Sequence, residues 1–387
     1  MNEPAAPFSV CFVMGEIFGL SAVGGGERQV GLLRSGLMGH GVGVDVVTRR
    51  VPGVEDVVVP DATHVFRYEG QPGFRLRWIP AVTAAALQST ADVYYQRGMS
   101  ILTIAAARAA GRRDVPFVWA ASSDADADGV GRRVRRAFVQ RREGSRRGTL
   151  RSAAGALVET YIHMRTRSAV RTADLIIAQT DDQATALIRS LGFRARVEVC
   201  PSFGPEMSAT KDGPRDTILW VGANKPVKRP AQFLEIARHG PESFRYVMVG
   251  KELDPDWAGA APVHLVGSMS PGELVRVYQK SHVLVNTSSV EGFPNTFLEA
   301  WSCGTPVVSV GLDPGGVISA HGLGWVCEDA AGAARILCDT QGRDGIGDDM
   351  RTRCREYVAR HHSRDHVLEL HLGLFAGLVR PPVGEAR

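Results

Sequence analysis

Short apolar runs alternate with longer amphipathic stretches along most of the chain. Residues 8–14 are a mostly apolar run of a strand's length, and beyond them Val30, Leu33 and Leu37 share one face of a 3.6-residue period, which predicts a helix. A strand follows at 42–47. The pattern continues through a strand at 92–95, an alanine-rich helix at 102–110, and strands at 116–120 and 174–178. A helix at 181–191 and a strand at 197–200 complete this half. Strands separated by helical stretches of this length predict parallel pairing through right-handed crossovers.

The alternation breaks at 204–216, GPEMSATKDGPRD, which is rich in Gly, Pro and polar residues and has no apolar period. This stretch is the expected linker. Beyond it the pattern restarts, with strands at 218–221, 246–249, 264–266, 283–285 and 306–310 and helices near 231–238, 271–279 and 295–302. The expected architecture is therefore α/β, two doubly wound Rossmann-like domains facing a cleft. They are residues 1–205 and 206–387, with the last helix packing back on the first domain.

Composition narrows the class. At ~150 residues per domain, 387 residues suit two or three domains, and 44% hydrophobic with 22% charged excludes disorder as the main state. A formal charge of +4 is too mild for a dedicated nucleic-acid binder, so no nucleic-acid partner is expected. The first eight residues carry Glu3 and no Lys or Arg, unlike the basic start of a secretory signal. No apolar run approaches the ~20 residues that span a bilayer. The six cysteines are scattered without C-x-x-C spacing, which suits reduced thiols and a cytoplasmic location. Charge is nevertheless concentrated: from Arg132 to Arg151 there are nine arginines and one acid, Glu143, a local +8 that leaves −4 for the remainder. Such a segment is either a solvated surface or a contact for anionic lipid headgroups, at about 1 kcal/mol per basic residue. The second reading makes the protein peripheral on the inner membrane face.

The most informative stretch is Glu291-Gly292-Phe293-Pro294-Asn295-Thr296-Phe297-Leu298-Glu299. It follows a predicted strand, Gly292 permits close backbone approach, and Pro294 suits a helix start whose free amides face an anion such as a diphosphate. Glu291 would sit in the loop and Glu299 two helical turns on, where carboxylates suit sugar and ribose hydroxyls. The plain alternative is two solvated helix charges.

Here the sequence resembles the retaining glycosyltransferases of family four, which have the GT-B fold and use nucleotide sugars. The resemblance covers nearly the whole chain and is strongest from Trp220 to Val308. It implies that Glu291, the first glutamate of a Glu-x7-Glu motif, contacts the donor sugar. The loop formed by Gly292, Phe293, Pro294, Asn295 and Thr296 would supply backbone amides to sugar and phosphate, and Glu299 would bind the ribose. In the second matching segment, Trp220-Val-Gly-Ala-Asn-Lys-Pro-Val-Lys-Arg-Pro230, Lys228 stands where the family places a diphosphate-binding lysine. Ala223 occupies the place of the family's arginine. Lys225 or Asn224 is then the substitute, a point charge or amide in place of a bidentate fork; a solvated loop lysine is the alternative for each.

In the amino-terminal half, Gly24, Gly25 and Gly26 resemble the family's first glycine-rich loop, near acceptor and donor phosphates. They do not form G-x-G-x-x-G, because Gln29 stands at the last position. Arg97 would meet an anionic acceptor or form a structural ion pair. Many relatives carry a histidine near the sugar, where this chain has Ser122 or Ser123, and Asp124 is the nearest polar candidate for a catalytic role. Asp124, Asp126 and Asp128 imitate a metal motif of another fold, but no metal is expected and no cofactor is required. His361, His362 and His366 are expected on the surface of a carboxy-terminal helix, and Trp301 and Trp325 in packing.

The resemblance implies transfer of a sugar from a nucleoside diphosphate sugar to a hydroxyl of a glycan or lipid-linked acceptor, in cell-surface glycan or glycolipid synthesis. Two alternatives stay open. One is a nucleotide-sugar epimerase or phosphorylase on a similar scaffold; the other is a non-catalytic nucleotide-sugar-binding protein.

Overall fold

A computed structural model describes residues 8–15, 24–50, 62–68, 75–129, 149–192, 196–205, 215–341 and 346–379; within helix Thr149–Val170 it describes side chains from Leu157 onward. The chain divides into two compact units, 1–201 with 367–387, and 202–366. The expected linker lies largely outside the described residues, as does the arginine-rich segment up to its entry into helix Thr149–Val170.

Among the described residues the first unit is built on seven parallel strands: β1 Ser9–Val13, β2 Gly43–Arg49, β3 His64–Tyr68, β4 Val93–Arg97, β5 Phe117–Ala120, β6 Leu175–Ala178 and β7 Arg196–Val199. Their order is β3-β2-β1-β4-β5-β6-β7. The second unit has six: β8 Thr217–Val221, β9 Arg245–Val249, β10 Val263–Val266, β11 Ser281–Asn286, β12 Val307–Val310 and β13 Gly324–Cys327, in the order β10-β9-β8-β11-β12-β13. All pairings are parallel. Helices on both faces bury the inner strands completely, which is why they read as unbroken apolar runs. In β5 and β6 every residue is buried.

Both orders reverse direction beside the unit's first strand, between β1 and β4 and between β8 and β11. In open parallel sheets the crevice beyond the carboxyl ends of such a strand pair is where ligands bind, because neighbouring crossovers leave to opposite faces.

Helix ends follow local chemistry. Ser100 and Thr103 close a capping box at helix Ile101–Arg113, as Ser270 and Glu273 do at Pro271–Lys280, and Thr180 caps Asp181–Leu191 through the amide of Gln183. The expected single carboxy-terminal helix is in fact two, Asp348–His361 and Arg364–Ala376. His362 ends the first and is not a surface residue: it is 2% exposed, with Nδ1 2.7 Å from the Ser202 carbonyl oxygen. That bond takes the side chain out of solvent at the point where the helix stops. Trp301 is fully buried and donates from Nε1 to the Leu323 carbonyl, and Trp325 packs against the second core.

Candidate functional site

In the second unit, the loops leaving β8 and β11 are tied together by backbone and side chains. Gly222, first after β8, donates its amide to Val249, and its carbonyl lies against Gly250. Gly250 has φ +158°, and a Cβ there would stand 1.5 Å from the Gly222 oxygen. The close approach of the loops leaving β8 and β9 therefore demands glycine at 250.

The next turn, residues 225–229, bends the lysine loop back over the end of β11. Ser289 donates its amide to Val227, 2.9 Å, and the Thr287 hydroxyl donates to the Lys228 carbonyl, 2.6 Å, while accepting from Trp220 Nε1, 3.0 Å. Arg229 then takes φ +46° and opens helix Pro230–His239. Its guanidinium donates to the carbonyls of Thr287, Ser288 and Val310, at 2.6, 3.1 and 2.9 Å. Burial lowers its pKa from the ordinary value.

This bracing brings Lys228 against Glu291, and the ammonium donates to a carboxylate oxygen in an ion pair. The two side chains are only 27% and 19% exposed, so the pair is screened less than a surface one. Glu299, on helix Asn295–Ser302, accepts from the buried Tyr278 hydroxyl at 2.8 Å. The helix begins after Pro294 with no side-chain cap. Gly292, Phe293 and Pro294 are buried, Asn295 and Thr296 partly so. Phe293 is a packing anchor for this loop, edge-on to Trp301 and 4.9 Å from the His362 ring. Lys225 is exposed, its amide donating to the Ala223 carbonyl; Asn224, also exposed, joins the Lys251 carbonyl through its amide. Lys228, Glu291, Glu299 and the helix start thus share the β8/β11 switch point.

The first unit has a pocket of about 600 Å³ at its own switch point. Met14 and Gly15 after β1, Gly26 and Glu27 at the start of helix Gly25–Gly39, Arg97 and Gly98 at the end of β4, and Ser122, Ser123 and Asp126 after β5 all line it. Gly24 precedes that helix with no side-chain cap. Arg97 Nε is buried and has no hydrogen-bond partner among the described residues. Gly98, at φ +78°, lets the chain turn beneath Ser122, whose Oγ would lie 2.8 Å from an added Cβ.

The acidic triplet divides. Asp126 accepts from the Ser122 and Ser123 amides and the Ser122 hydroxyl, closing the short turn Asp124–Ala127. Asp124 accepts from Gln183 Nε2 at 2.9 Å and is not among the residues lining the pocket. The three carboxylates do not converge, and no group of three metal-ligating side chains forms among the described residues.

Arg229, Thr287 and Tyr278 escaped sequence reading. Arg229 carries no local signal beyond its charge, and its backbone angle and three carbonyl partners reveal a brace. Tyr278 reads as the apolar face of an amphipathic helix until its hydroxyl is seen on Glu299.

Residues 24–202 match the family model described as glycosyl transferase 4-like domain, and residues 215–340 that of glycosyl transferases group 1. The D-inositol 3-phosphate glycosyltransferase of Rhodococcus jostii is 27% identical over 52% of this chain and 52% of its own. That of Rhodococcus opacus is 26% identical over 52% and 53%. The chain spans about half the length of the curated relatives it matches. Among solved structures, Anabaena HepE in complex with UDP and glucose superimposes with a TM-score of 0.69 at 16% identity, covering 96% of this chain and 100% of that one. Sucrose-phosphate synthase from Thermosynechococcus elongatus gives 0.72 at 17%, with the same coverage. At these identities the likeness is one of fold, the two-domain GT-B architecture.

Proposed function

Because the chain belongs to the family-four glycosyltransferases, we propose that it moves a sugar from a nucleoside diphosphate sugar to a hydroxyl acceptor with retention of anomeric configuration. The observation that carries this reading is the meeting of Lys228, Glu291, Glu299 and an uncapped helix start at one switch point. Lys228 and the backbone amides of residues 292, 293, 295 and 296 meet the charge that develops on the leaving diphosphate, an electrostatic role. Lys225 and Asn224 border the same anion in place of an arginine at 223. Glu291 faces the sugar, and Glu299, held by Tyr278, accepts from the ribose hydroxyls. The acceptor oxygen attacks the anomeric carbon on the face the diphosphate leaves, and the departing phosphate oxygen takes its proton.

The pocket at the β1/β4 switch point is the acceptor site in this reading. Arg97 offers a donor without a protein partner, and the start of helix Gly25–Gly39 adds partial positive charge, so the acceptor carries an anionic group beside its hydroxyls. The comparison with D-inositol 3-phosphate glycosyltransferases supports a phosphorylated polyol. The test is a matrix of UDP- and GDP-sugars against neutral and phosphorylated polyols, read by product mass. Transfer that requires a phosphorylated acceptor, with Arg97→Gln raising the acceptor KM ~10-fold or more, supports it. Donor conversion without an acceptor would favour the epimerase alternative, and donor binding without turnover the non-catalytic one.

We also propose contact with an anionic membrane surface. Helix Thr149–Val170, which receives the arginine-rich segment, exposes Leu157, Tyr161 and Met164 by 72%, 46% and 48%. Their i, i+4, i+7 spacing puts them on one face, next in sequence to a local charge of +8. No helix among the described residues is long and apolar enough to cross a membrane. Co-sedimentation with phosphatidylserine vesicles is expected to rise with anionic lipid and fade between 0.1 M and 1 M salt, as the screening length shrinks from ~10 to ~3 Å. Binding indifferent to lipid charge would sink the proposal.

A further inference from the structure

Arg229 follows the lysine at 228, yet all the geometry of its guanidinium is directed inward. Resting on the donor-site reading above, we propose that Arg229 is a positioning residue that sets Lys228 against the diphosphate through the backbone.

A non-glycine residue at φ +46° costs conformational energy that glycine would avoid, and Arg229 is one of three such residues among the described ones. Something must hold it there. The planar fork supplies the compensation: Nε donates to Thr287, and one terminal nitrogen to both Ser288 and Val310. These carbonyls belong to the ends of two adjacent strands, β11 and β12, and the first two lie on the loop that leads to Glu291. The guanidinium therefore fixes the turn 225–229 to the loop that carries the lysine's partner. Thr287 closes the circuit, because its carbonyl accepts from Arg229 while its hydroxyl donates to the Lys228 carbonyl. Lys228 has a freely rotating four-carbon stem, so its aim depends on where its backbone is held. Thr287 thus holds the Lys228 carbonyl through its hydroxyl and the Arg229 side chain through its own carbonyl.

The same geometry explains why Arg229 does not fill the role of the arginine missing at 223. Its donors are spent on carbonyls, and it cannot leave them for an anion without releasing the turn. A glycine at 229 would make the turn easily and leave it only the bonds from Ser289 to Val227 and from Thr287 to Lys228.

The test compares affinities for a nucleoside and its diphosphate, uridine with UDP or guanosine with GDP, whichever pair the wild-type full chain binds. Arg229→Gly relieves the backbone while removing the fork, and is expected to lower the diphosphate-to-nucleoside affinity ratio ~10-fold while nucleoside binding stays within ~2-fold. Arg229→Lys, which keeps charge without the fork, is expected to give an intermediate loss. In a Lys228→Ala background, Arg229→Gly is expected to change the ratio no further, because residues acting through one group are not additive. A purely structural role would lower the melting temperature and leave the ratio alone. If Lys228→Ala reduces the ratio but neither Arg229 variant does, or if the two losses add, the positioning role is overturned while the site stands. If Lys228→Ala itself leaves the ratio unchanged, the site reading fails and the role of Arg229 falls with it. Should Arg229→Gly not fold, the Arg229→Lys ratio decides alone.

Discussion

Glu291→Gln is expected to bind nucleoside diphosphate more tightly than the wild-type chain while losing most of its turnover. Without donor, the Lys228 ammonium is paired with the Glu291 carboxylate, and both side chains are largely withdrawn from water. A diphosphate arriving at Lys228 competes with that carboxylate for the same cation. Glutamine keeps the shape and removes the charge, which leaves a half-buried ammonium in want of an anion. Discounted for its partial exposure, the pair is worth on the order of 1 kcal/mol, so the diphosphate should gain ~3- to 10-fold in affinity. Turnover moves the other way. In the proposed role, the Glu291 carboxylate faces the donor sugar and stabilises positive charge at the reacting carbon, and removing one electrostatic group from such a site costs ~100-fold or more in kcat. Calorimetry with UDP or GDP and single-turnover kinetics on the same preparation measure both. Weaker diphosphate binding with normal turnover would show that the pair is a structural bridge.

The opposite signs follow from a contact that sequence spacing does not contain. Glu291 and Lys228 are 63 residues apart, and reading the chain placed each at the donor without suggesting that they touch. They touch because β8 and β11 are neighbours in the sheet, an adjacency set by strand order. The strands themselves were legible: in a parallel sheet covered on both faces, burial leaves a continuous apolar signature, and the stretches read at 218–221 and 283–285 fall inside β8 and β11. Asp181–Leu191 was legible to the residue because Thr180 and Gly192 mark its ends.

What escaped reading had weaker local signals. β3, with HVFRY, lies at the sheet edge, exposed or half-buried at its first four positions and buried at Tyr68, so it lacks the apolar run that marks the inner strands. Helix Trp78–Ala86 contains Pro80 in its first turn, which looks like a breaker unless the helix start is already known. The acidic triplet, expected to imitate a metal motif without holding a metal, divides in a way that local sequence does not give. In the short turn one carboxylate goes to Gln183 and one back to the Ser122 and Ser123 amides. His362 was read as exposed from its offset within one assumed helix. The helix break at that residue reverses the side chain's environment.

That burial leads to the second large effect, a loss of stability in mild acid. His282 and His362 in the second unit and His371 in the first are 5%, 2% and 5% exposed, and desolvation pushes each imidazole down to about 4. The charges around them reinforce the shift: Arg351 and Arg215 at His282, His361 and His366 at His362, Arg97 at His371. Each ring stays neutral and bonded, to the Thr340 hydroxyl, the Ser202 carbonyl and the Val367 carbonyl respectively. An unfolded chain binds a proton at each histidine below about pH 6.5, while the folded one does not until about 4, so protons favour unfolding throughout that window. The stabilisation is complete above pH 6.5 and is lost as pH falls toward 4, at up to ~1.4 kcal/mol per pH unit for each histidine. Three together would remove several kcal/mol, a large part of the 5 to 15 kcal/mol typical of a folded protein. The second unit holds two of them and should unfold first, so two transitions are expected rather than one. His362 packs on Phe293 in the proposed donor loop, and donor affinity should fall alongside. Urea titrations from pH 7.5 to 4.5 measure this, with His362→Gln expected to flatten the slope of the second unit by about one proton. A stability profile that stays level from pH 6.5 to 4.5 would mean that these rings admit a proton when folded as readily as when unfolded.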